Sequence, residues 1–417
     1  MARIVLATFG SLGDLHPVLA LALELRRRGH RVEIATSAFY QEKIAAAGLG
    51  FHALRPALSV PDERMVRRVM DGRRGSAYLL RDLMFPSVRD MHADLSRIVT
   101  GADCLVASEL VYAAPLLAAQ TGLPWVSYSL APISLFSVFD PSLLPGPPGT
   151  HLVQSLGPGA NHLLRLAAKA GTHSWWQPVR ALRRELGLPP GGHPLFEGKY
   201  SPRLDLALFS PVLQPPQADW PAQTVQCGFP FHDEVAPEDA LPPAVTEFLA
   251  RGAPPVVFTL GSSAVHMADD FYVRSVQAAQ QLGRRALLLV GKNLPPPDLP
   301  DSILAWDYLP YAQIFLHAAA IVHQGGVGTT AQALRAGKPM LIMPYAHDQP
   351  DNAARVTRLG VARTIARSRY HPAQVAHELA ELLATPDYAR RAAEAGQRVR
   401  DERGVTVACD AIERQLR

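Results

Sequence analysis

The strongest constraint on the fold is the alternation of strand and helix patterns in the first forty residues. Arg3–Phe9 is a run of mostly apolar and β-branched residues, and the glycine-containing turn Gly10–Asp14 ends it. Apolar residues then recur at helical spacing, at Leu15, Val18, Leu19, Ala22 and Leu25. His30–Ser37 returns to a strand pattern. A strand, a helix and a strand in this order predict a parallel sheet with a right-handed crossover.

The same alternation runs through both halves of the chain. In the first half, further strands are predicted at 103–108, 124–129 and 205–210, with long helical stretches at 62–98 and 160–187. In the second half, strands are predicted at 255–260, 286–290, 303–306, 318–323 and 340–344. We therefore expect an α/β fold of two doubly wound, Rossmann-like domains that face each other across a cleft. Sheets of this kind bind ligands at the carboxyl ends of their strands.

Proline marks the predicted domain boundaries. The chain has 37 Pro in 417 residues, which excludes a simple helical bundle because each interior proline costs a helix about 3 kcal/mol. Prolines gather at 211–221, 230–243 and 294–300, and the middle cluster has no hydrophobic period. We predict an N-terminal domain at 1–230, a linker at 231–244, a C-terminal domain at 245–395 and, at 396–417, a helix that packs back on the N-terminal domain.

The net charge and the cysteines disfavour several classes of ligand and partner. A formal charge of +4 over 417 residues is a weak field, which disfavours nucleic acid. The spacing of Cys104, Cys227 and Cys409 fits neither a metal site nor a disulfide framework. No apolar run reaches the ~18 residues of a membrane span, and the N-terminal run is too short for a signal peptide. We expect a cytoplasmic protein, a monomer or weak dimer, without stable membrane insertion.

A glycine-rich turn follows the predicted strand that ends at His323. Gly325, Gly326 and Gly328 precede a helix that begins near Thr329. Glycines let backbone N–H groups approach an anion closely, and a helix N-terminus adds about half a positive charge. A phosphate or diphosphate is the expected ligand, and a strand–helix turn without a ligand is the alternative.

Three further polar loops follow predicted strands. Gly261 and Ser262 offer amide and hydroxyl donors for the same anion. Asp348 and Gln349 suit hydrogen bonds to vicinal hydroxyls, or else cap a helix. In the first loop, Asp14 and His16 both suit a general base, since histidine titrates near neutral pH. Asp14 equally suits a helix cap.

The order of these four motifs resembles that of the GT-B nucleotide-sugar glycosyltransferases, in the UDP-glycosyltransferase-like family. The likeness covers nearly the whole chain and is closest to bacterial enzymes that glycosylate macrolides, glycopeptides, sterols and flavonoids. A finer likeness to the catalytic subunit of rhamnolipid rhamnosyltransferase rests on the segments Leu208–Pro211, Gln217–Pro221, Asp270–Tyr272 and Ala346–Asn352.

The resemblance implies roles for these residues. Asp14 takes the position of the general base, and His323 that of the histidine that contacts the diphosphate. Gly325, Gly326, Gly328 and Thr329 form the cradle, with Gly261 and Ser262 as a second phosphate loop. Asp348 and Gln349 hold the sugar hydroxyls, and Tyr308 stacks on the base.

Gln332 is the one departure from the plant pattern, in which a glutamate at this position binds both ribose hydroxyls. Without that carboxylate, dTDP sugars become donor candidates, but the resemblance still places UDP-glucose slightly ahead because sterol-type members also lack the glutamate and use it. No cofactor or metal is implied.

The sequence says less about the residues that bind the acceptor. Glu109 is a candidate helper of Asp14, whose pKa we predict to be raised by burial or a neighbour. Trp175 and Trp176 line an acceptor site or pack in the core. The segment 62–98 rims an apolar pocket, touches a membrane or forms solvated faces of amphipathic helices.

We therefore predict an inverting hexosyltransferase that moves a sugar from a UDP or dTDP donor to a hydroxyl of an apolar small molecule (a phenol, polyketide, sterol or hydroxy-lipid). A dTDP-rhamnose-dependent enzyme that acts on a lipid hydroxyl is one alternative. A non-catalytic nucleotide-sugar-binding subunit is another, as is an epimerase or hydrolase on the same fold. Glu394 and Glu402 have the spacing of a retaining enzyme's glutamate pair, but they lie in the predicted terminal helices.

Overall fold

The computed structural model describes residues 1–57, 62–143, 150–232 and 241–416. The chain divides into two units. Unit 1 comprises Met1–Val69, Arg73–His232 and Glu402–Arg417, and unit 2 comprises Met70–Gly72 and Asp233–Asp401. Most of the predicted linker, at 231–244, falls on residues 233–240, which lie outside the described residues.

The strands of unit 1 are β1 (Arg3–Ala7), β2 (Arg31–Thr36), β3 (Gly50–Ala53), β4 (Cys104–Ser108), β5 (Trp125–Ser129), β6 (Asp205–Ala207) and β7 (Thr224–Gln226). Its helices are α1 (Leu12–Arg27), α2 (Gln41–Ala46), α3 (Glu63–Val69), α4 (Gly75–Ala77), α5 (Val88–Ile98), α6 (Ala114–Thr121), α7 (Thr150–Gln154), α8 (Pro158–Gly171), α9 (Gln177–Glu185) and, at the end of the chain, α18 (Gly404–Arg414).

The strands of unit 2 are β8 (Val256–Thr259), β9 (Ala286–Leu289), β10 (Ile303–Trp306), β11 (Ala320–His323), β12 (Met340–Ile342) and β13 (Ala362–Thr364). Its helices are α10 (Pro243–Ala250), α11 (Gly261–Ala264), α12 (Phe271–Gln281), α13 (Tyr311–Ile314), α14 (Val327–Ala336), α15 (Gln349–Arg358), α16 (Pro372–Ala384) and α17 (Pro386–Arg400).

Each unit is built on one parallel sheet. The strand order is β3-β2-β1-β4-β5-β6-β7 in unit 1 and β10-β9-β8-β11-β12-β13 in unit 2. In both sheets the order reverses beside the first strand, β1 or β8, which is the arrangement of a doubly wound fold. The predicted fold class, two doubly wound α/β domains, is confirmed.

Strand β1 illustrates why these sheets form. Ile4, Val5, Leu6 and Ala7 are all fully buried, since a parallel sheet covered on both faces needs apolar residues at successive positions. Ile4 and Leu6 belong to one core cluster and Val5 and Ala7 to the other. Successive side chains point to opposite faces of the sheet, so one strand supplies both cores.

The predicted terminal segment 396–417 is divided in the structure. Its first residues lie in α17, within unit 2, and the chain enters unit 1 at Glu402. Helix α18 then packs against α1, with Ala408, Cys409 and Ile412 in the core of unit 1. Arg28, at the end of α1, forms ion pairs with Asp410 and Glu413 of α18.

The predicted helical stretches 62–98 and 160–187 are each broken into shorter helices. The first contains α3, α4 and α5, with a π-helical turn at Tyr78–Met84. The second contains most of α8 and all of α9. No helix in the part of the chain that the structure describes is long and apolar enough to cross a membrane.

Candidate functional site

The sheet order of unit 2 brings three of the predicted loops together. Strands β8, β11 and β12 are neighbours, and parallel strands end at the same edge of a sheet. Gly261 and Ser262 follow β8, the glycine turn 325–328 follows β11, and Asp348 and Gln349 follow β12. This edge of the sheet is the candidate nucleotide-sugar site.

His323 is fully buried at the end of β11. Its Nδ1 accepts a hydrogen bond of 3.0 Å from the backbone N–H of Gly325. Burial lowers the pKa of His323 to about 3, so the imidazole is neutral near pH 7. A neutral ring whose Nδ1 accepts must carry its proton on Nε2, and that atom has no protein partner among the described residues. His323 therefore holds a buried N–H donor that nothing in the described protein satisfies.

Gly325 cannot be replaced without moving its neighbours. Its φ of +89° is left-handed, and a Cβ there would lie 2.9 Å from Ile342 Cγ2 and 3.0 Å from the carbonyl oxygen of Gln349. The turn then enters α14, which begins at Val327 with Gly326 as its N-cap and no side-chain cap of its own. The first N–H groups of such a helix point toward an incoming anion.

Asp348 joins the glycine turn to α15. Its Oδ2 accepts from the backbone N–H of Val327 at 3.1 Å and from Asn352 Nδ2 at 2.7 Å. Asn352 Nδ2 also donates to the carbonyl oxygen of Gly325 at 2.9 Å. Burial raises the pKa of Asp348 to about 6. Its neighbour Gln349 uses Oε1 to accept from the backbone N–H groups of Tyr345 and Ala346, at 2.8 and 3.2 Å.

Gln324 lies between two of the loops, and the sequence reasoning missed it. A Cβ on Gly261 would lie 2.2 Å from Gln324 Nε2, and one on Gly326 would lie 2.9 Å from the same atom. Asn352 was missed as well. The only sequence signals for these two residues are that Gln324 adjoins His323 and that Asn352 follows Asp348 by one helical turn.

The remaining predicted residues of unit 2 lie around this edge. Thr259 Oγ1 bonds to Tyr311 Oη at 2.7 Å and accepts from the N–H of Gly261 at 3.2 Å, which fixes the loop after β8. Tyr308 is exposed after β10, two strands from β8. Gln332 lies on α14, and its Oε1 is buried without a protein partner in the described residues.

In unit 1, Asp14 is a cap of its own helix. It occupies the third position of α1, where its Oδ2 accepts from the backbone N–H of Ser11 at 2.7 Å and lies 3.3 Å from Ser11 Oγ. Ser11 Oγ accepts from the N–H of Gly13 at 3.2 Å, which completes a capping box. The capping interpretation of Asp14 is therefore correct for this structure, and it fixes the carboxylate at the end of β1.

His16 follows Asp14 by two residues along α1. Burial, with smaller contributions from Lys43 and His232, lowers the pKa of His16 to about 3. Its ring centroid lies 5.6 Å from that of His232. The imidazole is therefore neutral near pH 7.

The structure gives Glu109 partners other than the predicted one. Its carboxylate accepts from Ser134 Oγ and forms an ion pair with the buried Lys199. These contacts occupy the Glu109 carboxylate, and its support of Asp14 stays a prediction.

Trp175 and Trp176 pack in the core. The indole of Trp176 is buried with Val179 in one core cluster and lies 5.2 Å, between centroids, from the ring of His193. Trp175 packs against the same cluster from a partly buried position. Trp176 is therefore a core residue, and the acceptor-lining role of the pair stays a prediction.

Metal ligands do not cluster in the described residues: they contain no group of three or more His, Cys, Asp or Glu that could hold a metal ion. The three cysteines are free thiols and all are buried.

Comparison with known proteins identifies related domains and whole chains. Residues 4–122 match the glycosyltransferase family 28 N-terminal domain, and residues 292–409 match the erythromycin biosynthesis protein CIII-like C-terminal domain. The chain is 35% identical to the O-mycaminosyltylonolide 6-deoxyallosyltransferase of Streptomyces fradiae, over 99% of this chain and 97% of that protein.

Two solved structures have a similar fold. The glycotransferase of kitacinnamycin matches with a TM-score of 0.74 and 25% identity, over 100% of this chain and 99% of the other. The spinosyn rhamnosyltransferase SpnG, complexed with thymidine diphosphate, matches with a TM-score of 0.70 and 19% identity, over 99% and 100%. Together with the 35% identical relative, these matches show that the chain belongs to the GT-B glycosyltransferases of the UDP-glycosyltransferase-like family.

Proposed function

We propose that this glycosyltransferase moves a hexosyl group from a nucleoside diphosphate sugar to a hydroxyl of an apolar small molecule, with inversion at the anomeric carbon. The observation that carries the proposal is His323. Its imidazole is neutral and fully buried, and it holds an unsatisfied Nε2–H beside the start of α14. A buried donor without a partner costs about 1–3 kcal/mol, and a diphosphate oxygen would satisfy it.

In this proposal the general base belongs to unit 1, and the groups that stabilise the leaving diphosphate belong to unit 2. The Asp14 carboxylate takes the proton of the acceptor hydroxyl, and that oxygen attacks the anomeric carbon from the face opposite the diphosphate. The bond between the anomeric carbon and the diphosphate oxygen breaks, and its electron pair leaves with the nucleoside diphosphate. His323 Nε2–H and the α14 N-terminus stabilise the departing charge. We propose that these fixed dipoles make a metal ion unnecessary.

The sugar and the base are held by the residues around this edge. Asp348 accepts hydrogen bonds from sugar hydroxyls, and Gln349 donates from its Nε2, since its Oε1 is already used by the loop. Gln324 turns its amide toward the diphosphate beside Gly261, Ser262 and the glycine cradle. The exposed Tyr308 stacks on the nucleobase.

We propose a thymidine diphosphate 6-deoxyhexose as the donor. Gln332 has no carboxylate to require a ribose 2′-hydroxyl. The S. fradiae relative is named as a 6-deoxyallosyltransferase, which supports this choice, and its name also supports a polyketide acceptor. UDP-glucose is the alternative donor, and a rhamnosyl group transferred to a lipid hydroxyl is the alternative within the same reaction class. Product formation from each donor with polyketide, phenolic, sterol and hydroxy-lipid acceptors separates them.

The general base is tested with Asp14→Asn. An asparagine Oδ1 at this position still accepts from the N–H of Ser11, so the cap is retained while the base is lost. We expect transfer to fall by about 10³-fold, within the range of general-base contributions. Binding of the donor, measured by calorimetry, should be unchanged. Transfer by the variant at the wild-type rate would reject Asp14 and leave His16 as the next candidate.

A further inference from the structure

Helix α8 of unit 1 exposes large apolar residues to solvent. Its one buried residue is the polar Asn161, whose Nδ2 donates to the carbonyl oxygen of Val138 at 2.9 Å. Leu163 and Leu166, by contrast, are 67% and 46% exposed. These two leucines share a helix face with Ala167 and Ala170, since residues three, four and seven apart lie side by side. The helix therefore presents an apolar stripe to solvent.

The apolar stripe continues from the helix before it. In and just after α7, Leu152 and Leu156 are each 75% exposed, and Val153 is also exposed. We call these residues the α7–α8 surface: Leu152, Val153, Leu156, Leu163 and Leu166. Single exposed leucines are common on proteins, but five large apolar side chains within fifteen residues indicate an interaction surface.

The segment that contains this surface carries an excess of positive charge. Residues 150–203 contain seven Arg and Lys against two Glu, whereas the whole chain has 41 basic and 37 acidic residues. The rest of the chain therefore has 34 basic against 35 acidic residues. The formal positive excess of the protein therefore lies in this segment, and one of its seven basic residues, the buried Lys199, is paired with Glu109 outside it.

The basic side chains flank the leucines. On α8, His162, Arg165 and Lys169 recur at helical spacing on a neighbouring face, where Lys169 pairs with Glu197 at 2.8 Å and Arg165 lies 3.8 Å from Asp219. Further along, Arg180 and Arg184 of α9 are exposed. Long basic side chains beside an apolar stripe can place their alkyl stems along it and keep their charged ends in water.

We propose that the α7–α8 surface docks on an anionic lipid bilayer. An exposed leucine stripe flanked by Arg and Lys is the chemistry of helices that lie in the membrane interface. Apolar side chains enter the acyl boundary, and nearby basic groups are attracted to an anionic surface. A second copy of the chain is disfavoured as the occupant because its surface would bring the same positive charge. The proposal does not depend on the identity of donor or acceptor.

The test is flotation of the full chain with vesicles of phosphatidylglycerol and phosphatidylcholine in equal parts, beside vesicles of phosphatidylcholine alone. We expect the protein to float with the anionic vesicles and to be released by high salt, which screens the charges. The double variant Leu163→Ser/Leu166→Ser should bind about tenfold more weakly or worse, because two leucines no longer enter the lipid. Both residues are exposed, so the melting temperature should not change.

The matched control is Leu294→Ser/Leu316→Ser, which changes two exposed leucines of unit 2 and should float like the wild type. Absence of flotation with either vesicle overturns the proposal, as does equal binding of the α8 double variant or equal binding to neutral vesicles. A dimer in solution that the α8 double variant abolishes, without vesicle binding, would make a second copy the occupant. Binding of an acidic protein without vesicle binding would make the occupant a protein, and the proposal would fail.

Discussion

The two loops that carry the proposed chemistry have the same local structure, a buried strand followed by glycines and a helix. They differ in how the first backbone N–H groups of that helix are hydrogen-bonded. In unit 1, α1 is closed by its own residues, because Ser11 and Asp14 form a capping box within the first turn. In unit 2, α14 has no side-chain cap of its own, and the carboxylate at its first N–H comes from Asp348, which precedes α15.

The difference between the two helix starts matches the different roles proposed for the two loops. Closing the first loop on itself fixes the carboxylate of Asp14 without a ligand. The second loop is tied across strands, and it leaves the buried Nε2–H of His323 unsatisfied in the described residues. One loop is complete without a ligand, whereas the other leaves a buried donor that the proposed diphosphate would satisfy.

The largest effect within unit 2 should come from His323. In His323→Asn, the shorter side chain keeps an acceptor near the position of Nδ1 for the N–H of Gly325 but loses the Nε2–H. We expect kcat/KM to fall by about 10²–10³-fold, the usual cost of removing one donor that stabilises developing charge. His323→Gln, which restores a donor near Nε2, should recover part of it. The control His317→Ala changes an exposed histidine of the same unit; if it lost as much activity, the role given to His323 would be wrong.

A smaller effect should come from pH acting on Asp348. The pKa of this carboxyl is raised to about 6 by burial, so it becomes protonated as the pH falls through that value. A neutral carboxyl accepts hydrogen bonds less strongly than a carboxylate, and we expect the KM for the donor to rise about tenfold at low pH. His323, with a pKa of about 3, does not titrate in this range.

The variant Asp348→Asn is the control for this pH effect. It should start from a higher KM and show a flat profile, because the titrating group is absent. A wild-type profile that is itself flat between pH 5 and 8, measured with the same donor, would remove Asp348 from the sugar site.

The smallest effect should come from a substitution at Ser11, which tests the helix cap separately from the proposed base. Ser11→Ala removes the hydroxyl that accepts from Gly13, and we expect the free energy of unfolding to fall by about 1 kcal/mol. Transfer should remain within a few-fold of wild type, because the Ser11 N–H still holds Asp14. Denaturant titration beside the exposed Ser174→Ala measures the first part. A loss of transfer as large as that of Asp14→Asn would contradict the division between cap and base.

Sequence alone predicted the central strands and one edge strand, β10, but missed the other three edge strands. The buried strands, such as β1 and β11, are apolar runs that end at glycine or polar residues. The three missed strands, β3, β7 and β13, are each at the edge of a sheet and three or four residues long. Each of these three has one neighbour and partly exposed side chains, and none has the apolar run that marks the edge strand β10.

The candidate site was also predicted only in part. The loops after β8, β11 and β12 were predicted because glycines and polar residues follow apolar strands. Gln324 and Asn352 were missed because their positions depend on hydrogen bonds and close approaches between loops that are distant in sequence. Glu109 was assigned by its position after β4, and only the structure shows that Ser134 and Lys199 hold it.

The return of the chain to its first unit has a consequence for engineering. Helix α18 packs on α1 and is tied to Arg28 by ion pairs, so the last residues of the chain belong to the unit that holds Asp14. A chimera that exchanges donor specificity with a relative must therefore be cut twice, near His232 and near Glu402. A single junction would graft a foreign terminal helix onto α1 and leave the recipient half with a mismatched core.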